Sequence, residues 1–477
     1  MRVQLSDVAG ADAGRADVCV IGSGFAGATV AHDLARRGRS VILLEAGGAD
    51  WSDAAQALYA GQVVGDPYFD LSTCRLRQLG GTSGHWGGWC RPLDAADFDA
   101  KPGYPHAAWP IAKADLDPYA ARAGEILGTA LPPLDETLDP DLGITRFRMA
   151  FSRPAVRIWD TLGRDLDAAP DVRVATRANV TRLRTDGTRV TGVDVAGPDG
   201  ARHVVRAETY VLATGGIENS RLMLWSDAVQ NGALCGGLPV GRYWMEHPHQ
   251  TLGAGLLSIW CGELKPWAED HFFALTPDRM RALSVRNCGL RLESLGAEET
   301  TALRADLACV APALGARMAA GLADGTCCGV RLRAAWEQAP VAANRVALSE
   351  TETDRLGLPR VVLHWRQSAE DVRTARDSAL AFADWLAARD RGRVRLDDWL
   401  RDLDTPVGGE LAGKHHMGGT RMAATPAAGV VDRDCRVFGQ QNLYLAGSSV
   451  FPSAGHANPT VTIVQLALRL ADHLASV

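Results

Sequence analysis

Apolar and polar positions along the chain follow two periods. Residues 18–21 (Val-Cys-Val-Ile) form a continuous apolar run, the pattern of a strand buried on both faces. The run leads into Gly22-Ser23-Gly24-Phe25-Ala26-Gly27 and a helical pattern to about Arg37, stopped by Gly38. Residues 41–44 form a second apolar run that ends at Glu45. Together they predict a β-α-β unit with G-x-G-x-x-G in its first turn and an acidic residue at the tip of its second strand. From Val172 the period shortens to two: 172–174, 180–183, 190–195 and 203–205 read as strands, with turn signals at Asp186-Gly187 and Pro198-Asp199-Gly200. Residues 209–213 predict a further strand that turns at Thr214-Gly215-Gly216 into a helix. An amphipathic helix is predicted over 369–388, a strand over 443–446 ending at Gly447, and a last helix from about Pro459, a residue suited to a first turn. The rest of 251–407 is mixed, without repeat or low-complexity linker.

The glycine turn has a definite chemistry. Its glycines let backbone approach a pyrophosphate, the helix N-terminus offers N–H groups and partial positive charge, and Glu45 can accept from a ribose hydroxyl. A carboxylate there repels a 2′-phosphate, which disfavours NADP. Residues 79–89 hold five glycines, including Gly80-Gly81 and Gly87-Gly88, too many for a good helix or strand. Such a run predicts a loop lying along the cofactor.

Composition narrows the classes. At 477 residues, with 47% hydrophobic and 22% charged, the chain can bury a large core without staples, which excludes disorder and coiled coil. A net charge of −6 argues against a nucleic-acid partner, and only four of the 50 basic residues are lysine. The ten cysteines show no metal-finger spacing, so neither a disulfide framework nor a metal or iron–sulfur site is expected. No apolar run reaches the ~18 residues of a membrane span and no secretory leader is visible, so the expected location is the reducing cytoplasm.

Four blocks, Gly22 to Glu45, Gly80 to Gly88, Val211 to Asn219, and His415 to the C-terminus, resemble the glucose-methanol-choline (GMC) family of flavin-dependent alcohol oxidoreductases. Residues 431–439 and 455–460 look most like its pyranose 2-oxidase and sugar-dehydrogenase branch. The resemblance implies FAD rather than NAD, and an α/β fold (α+β overall). A Rossmann-type FAD-binding domain would be discontinuous in sequence (1–110, 171–250 and 408–477), beside a sheet-based substrate-binding domain (111–170 and 251–407). It implies oxidation of a secondary alcohol on a sugar or glycoside, ring hydroxyl to ketone, by hydride transfer to flavin N5 with a histidine base. The electron acceptor would be oxygen or a quinone-type compound. The alternatives are a flavoenzyme of amine oxidase or monooxygenase type, a dehydrogenase of a non-sugar alcohol or aminoglycoside, and a non-catalytic flavin carrier.

By the same resemblance, FAD would meet Gly22, Gly24, Phe25, Ala26, Gly27 and Glu45, with Val180 at the adenine side. Gly81, Thr82, Ser83, His85 and Trp86 would run beside the pyrophosphate and isoalloxazine, with Thr214 and Gly215 nearby. Gly447 and Ser448 would approach the ribityl chain, and Asn458, Pro459 and Thr460 the pyrimidine edge. That last helix end suits the negative charge arising on two-electron reduction. Ser83-Gly84-His85-Trp86 resembles the Ser-Thr-His-Trp through which pyranose 2-oxidase carries its flavin covalently; related dehydrogenases keep His-Trp without the bond, which leaves attachment open. The family pattern of a His followed three and four residues later by Gly-Thr selects His416, with Gly419 and Thr420, as the base, and Asn458 as its partner; His415 is one residue out of register. His247, in Met245-Glu246-His247-Pro248-His249, reads as structural, and Trp260, Trp267, Phe272 and Phe273 as an aromatic cluster used for packing.

Overall fold

The apolar runs at 16–21 and 41–44 pair side by side in parallel, and the helix Phe25–Arg36 crosses between them. A computed structural model describes residues 1–9, 15–101, 103–133, 135–197, 200–258, 271–401 and 413–477. Its first layer is a six-stranded parallel sheet in the order Arg2–Val3, Val172–Ala175, Val41–Leu44, Ala16–Ile21, Ala207–Leu212, Leu443–Leu445. Its strands are fully buried at Cys19, Val20, Ile42 and Leu43, as expected for a parallel sheet covered on both faces. Helix Phe25–Arg36 packs against Thr460–Ser476 and Ile158–Ala168. The strands Asn179–Thr185, Val190–Ala196 and Arg202–Val205 form a separate antiparallel sheet.

The region with the least periodic sequence builds a seven-stranded antiparallel sheet. Its order is Gly392–Leu396, His249–Leu257, Cys328–Trp336, Cys288–Ser294, Phe272–Leu275, Ile144–Phe147, Glu136–Asp139. The helix Ala369–Ala388 covers it, with Phe382 against Phe273 at 5.1 Å between ring centroids. A fourth sheet joins Arg345–Thr353 and Pro359–Trp365 to the early strand Gly61–Gly65.

Two expectations are modified. The stretch 111–170 is divided: Leu116, Ile126, Ile158 and Leu162 pack into the core of the parallel sheet, while 136–139 and 144–147 join the seven-stranded sheet. Cys328 is disulfide-bonded, a departure from an all-reduced set. Phe272 and Phe273 are both buried and pack as expected, Phe273 against Phe382 and Phe272 against Phe147 and Trp89. Trp260, Trp267 and the turn at Pro198-Asp199 lie outside the described residues.

A buried ionic cluster ties the layers together. Arg221, on the helix Gly215–Ala228, donates to Asp354 (2.8 Å), Glu218 (3.3 Å) and the carbonyls of Leu58 (3.1 Å) and Pro359 (2.9 Å). Glu218 also accepts from Arg75 (2.8 Å). Removing one partner of such a cluster leaves buried charge uncompensated, at a cost of about 3–5 kcal/mol. Arg221→Met should therefore lower the thermal unfolding midpoint sharply; a midpoint equal to wild type would show that the cluster adds nothing to stability.

Candidate active site

Parallel strands deliver their carboxyl ends to one edge of the sheet, and a crevice opens where the order of connection reverses. Here that point is Ala16–Ile21, flanked by Val41–Leu44 on one side and Ala207–Leu212 on the other. The residues following these strands and Leu443–Leu445, namely Gly22, Glu45, Ala213 and Gly447, all line one cavity of about 370 Å³.

Local chemistry shapes the first half of the cavity. A side chain at Gly27 would strike the carbonyl of Gly22 at 1.9 Å, so only glycine lets the helix start this close to the strand. Gly24 differs: a Cβ there meets nothing within 4 Å, and its φ of −66° is open to any residue. It borders empty space of the kind a pyrophosphate fills. Glu45 accepts from Ser23 N (3.0 Å), Ser23 Oγ (2.6 Å) and Gly47 N (2.7 Å). Burial pushes its carboxyl above the ordinary value, while these hydrogen bonds oppose the shift. Ser23 Oγ also accepts from Gly80 N (2.9 Å), which couples the glycine turn to the glycine-rich loop. That loop forms a short 3-10 turn, Gly81–Gly84.

The second half is held by a strap. Residues 416–422 run beside 448–450, with Gly418 N donating to Ser448 O (3.0 Å) and Ser448 Oγ to His416 O (2.6 Å). On the other side, Met417 and Met245 form an antiparallel bridge, which sets His415 opposite His247. Glu246, fully buried, accepts from the backbone N–H of His247 (2.8 Å) and His415 (2.6 Å) and is paired with Tyr68 Oη. Burial raises its carboxyl to about 7. Asn219 pins the remaining loops, accepting from Thr214 N (2.8 Å) and donating to Ala446 O (3.2 Å) and Ser449 Oγ (2.8 Å).

The histidine register departs from expectation. His415 Nε2 lies 3.1 Å from Asn458 Nδ2, and both residues line the cavity. His416 also borders the cavity, but its ring sits between Trp244 and Tyr68, at 5.6 and 6.3 Å between centroids. Its Nε2 is buried without a hydrogen-bond partner among the described residues. The physical reason is alternation: with positive φ at Lys414 and the bridge at Met417, successive side chains face opposite ways, so only one of the two rings can meet Asn458. Burial first, then Arg75 and Lys414, lowers His416 to about 3. Burial and the neighbouring imidazoles of His247, His249 and His416 hold His415 well below its usual range.

The structure gathers every expected cofactor contact except Gly27 around this cavity: Gly22, Gly24, Phe25, Ala26, Glu45, Gly81, Thr82, Ser83, His85, Trp86, Val180, Thr214, Gly215, Gly447, Ser448, Asn458, Pro459 and Thr460. Gly27 acts from behind, through the close helix approach. Sequence reasoning missed His415, His247, Glu246 and the wall residue Trp89, which carries Arg291 over its ring at 5.0 Å. The signal for three of them was present in Met245 to His249 and Lys414 to Thr420, but it needs the pairing of two distant segments to be read. No helix among the described residues is long and apolar enough to cross a membrane.

Comparison with known proteins agrees with this geometry. The family description "FAD dependent oxidoreductase" matches residues 17–240, and "GMC oxidoreductase" matches residues 340–467. The chain is similar to the fructose dehydrogenase large subunit of Gluconobacter japonicus, at 24% identity over 96% of this chain and 97% of that one. It is 28% identical to the 6'''-hydroxyparomomycin C oxidase of Streptomyces lividus, covering 96% and 92% of the two chains. Among solved structures, pyridoxine 4-oxidase from Mesorbium loti shares the fold with a TM-score of 0.61 and 18% identity, over 96% of this chain and 99% of the other.

Two outcomes follow. Gly24→Val should fold normally yet lose bound flavin, because its side chain occupies cavity space and touches no protein atom at Cβ; a yellow variant of normal stability would show that Gly24 does not border the cofactor. The second concerns acid stability. Burial lowers His247, His249 and His416 to about 3, 4 and 3, against an ordinary value of about 6.5. As pH falls below about 6.5 the unfolded chain binds protons that the folded chain refuses, so stability drops towards pH 4. Thermal midpoints should fall on acidification, and His416→Phe should flatten that slope; an unaltered slope would acquit His416.

Proposed function

From a chain that belongs to the GMC oxidoreductase family and is an FAD-dependent oxidoreductase, we infer that it oxidises a secondary hydroxyl of a sugar, glycoside or aminoglycoside to a ketone, with His415 taking the hydroxyl proton. The observation that carries this reading is the contact of His415 with Asn458 on the wall of the same cavity that begins at Gly24 and Glu45.

The residues present fit FAD. The Gly22–Gly27 turn and Glu45 would hold its ADP half, and Gly81, Thr82, Ser83, Gly447 and Ser448 the middle. Asn458, Pro459 and Thr460, opening the helix Thr460–Ser476, would face the isoalloxazine, with His85 and Trp86 across the cavity. Bound FAD supplies the two-electron acceptor for the hydride. The chain's own residues do the rest. An alcohol loses its C–H bond as hydride only as its O–H proton departs, and an imidazole held neutral in a buried site is ready to receive that proton. Asn458 cannot serve as a base; its amide N–H orients the substrate oxygen, an interaction worth about 1–3 kcal/mol when left unmade.

The carbohydrate assignment rests on the names of the relatives and on the wall. Trp89 lines the cavity beside His85 and packs edge-on against Phe151 (4.9 Å) and Phe272 (5.9 Å). A rigid indole face of this kind suits the C–H face of a sugar ring. In this reading the parallel sheet carries the cofactor, and the seven-stranded sheet supplies the substrate side.

Anaerobic bleaching of the bound flavin by a panel of sugars, glycosides and aminoglycosides tests the substrate class, and bleaching by amines or NADPH alone would overturn it. His415→Ala should slow that bleaching by roughly 10²–10⁴-fold, the usual worth of a positioned base. Asn458→Ala should cost less, and His416→Ala least. If His416→Ala is the crippled variant and His415→Ala reduces its flavin normally, the base is His416.

A further inference from the structure

We propose that His247 is a positioning residue that fixes the tautomer of His415 and so presents an unprotonated Nε2 to the substrate; the proposal rests on His415 being the proton acceptor.

A backbone carbonyl fixes the first proton. His247 Nε2 lies 3.3 Å from Ala454 O, and a carbonyl oxygen can only accept, so Nε2 carries the hydrogen. A neutral imidazole has one N–H, which leaves His247 Nδ1 a bare acceptor. That atom is 2.9 Å from His415 Nδ1, which must therefore be the donor. His415 in turn keeps its lone pair on Nε2, the atom that meets Asn458 Nδ2–H at 3.1 Å and faces the cavity. One main-chain oxygen thus sets three successive hydrogen bonds, and no other arrangement of protons satisfies all of them with both rings neutral. The two rings meet at 5.0 Å between centroids and 87° between planes.

The neutral state of both rings follows from their surroundings. His247 is fully buried, and His249 stands 5.8 Å from the His415 ring, with Arg333 and Arg291 beside His249. Glu246 faces the pair through backbone N–H groups, and Lys414 and His416 adjoin it in sequence. When His415 Nε2 takes a proton, its Nδ1–H already points at an acceptor, which steadies the imidazolium. Without His247 the ring loses both the constraint and that acceptor.

His247→Leu, His247→Gln and His415→Ala, each loaded with flavin, separate the possibilities. Glutamine can donate to Ala454 O and accept from His415 Nδ1, whereas leucine can do neither. We expect His247→Leu to slow anaerobic flavin reduction about 10–100-fold and to move the acid limb of its pH profile to lower pH, and His247→Gln to recover the rate to within a few-fold. In protein with nitrogen-labelled histidine and no cofactor, the resonances lost in His415→Ala should report the Nδ1-protonated tautomer, and the same signals should become mixed in His247→Leu. Equal slowing by leucine and glutamine, or an unaltered tautomer in His247→Leu, overturns the proposal. A normal rate in His415→Ala overturns instead the reading of His415 as base.

Discussion

Everything at the site depends on the strand Ala16–Ile21 being hydrogen-bonded on both edges, to Val41–Leu44 and to Ala207–Leu212. Parallel pairing aligns the carboxyl ends of strands drawn from remote parts of the chain, and the reversal of connection at the central strand leaves a gap there that no side chain crosses. Glycine then keeps the gap open at its floor, and the ends of Leu443–Leu445 and Ala207–Leu212, pinned by Asn219, close its far side. The antiparallel sheet comes afterwards as a second wall, and its long strands need that first layer only as a neighbour.

Against that frame, the legible parts of the sequence are those whose physics is local. The β-α-β unit, the helix Ala369–Ala388 and the closing helix are each written within one stretch of side chains, by apolar period, a serine cap at Ser368 or a proline at the helix start. The cofactor-facing loops were legible for the same reason. The seven-stranded sheet was not, because its strands mix buried and partly buried positions without one clean period, are interrupted by the helices Ala297–Val310 and Pro312–Asp324, and pair across as many as 143 residues, as Gly253 does with Leu396.

The proposed base shows the limit most sharply. Gly418 and Gly419 stand together before Thr420, so a pattern of His, two residues and Gly fits His415 and His416 almost equally well. What decides between them is which ring the bridge to Met245 turns towards Asn458, and Met245 is more than 150 residues away. His247 reads as structural in the sequence because its contact with His415 is made by the same remote pairing. Both side chains belong to one two-stranded element that exists only in the folded chain.

The carbonyl of Ala454 has a further consequence. It receives a hydrogen bond from His247 but cannot carry a proton onward, so the two-histidine chain is a closed end and not a conduit. In the proposed reaction, a proton taken up by His415 finds no onward acceptor at Ala454 O and returns to the cavity it came from. Discharge of the site would then be tied to vacancy: in the proposed reaction the imidazolium stays charged while the product covers it, and proton release waits on product departure.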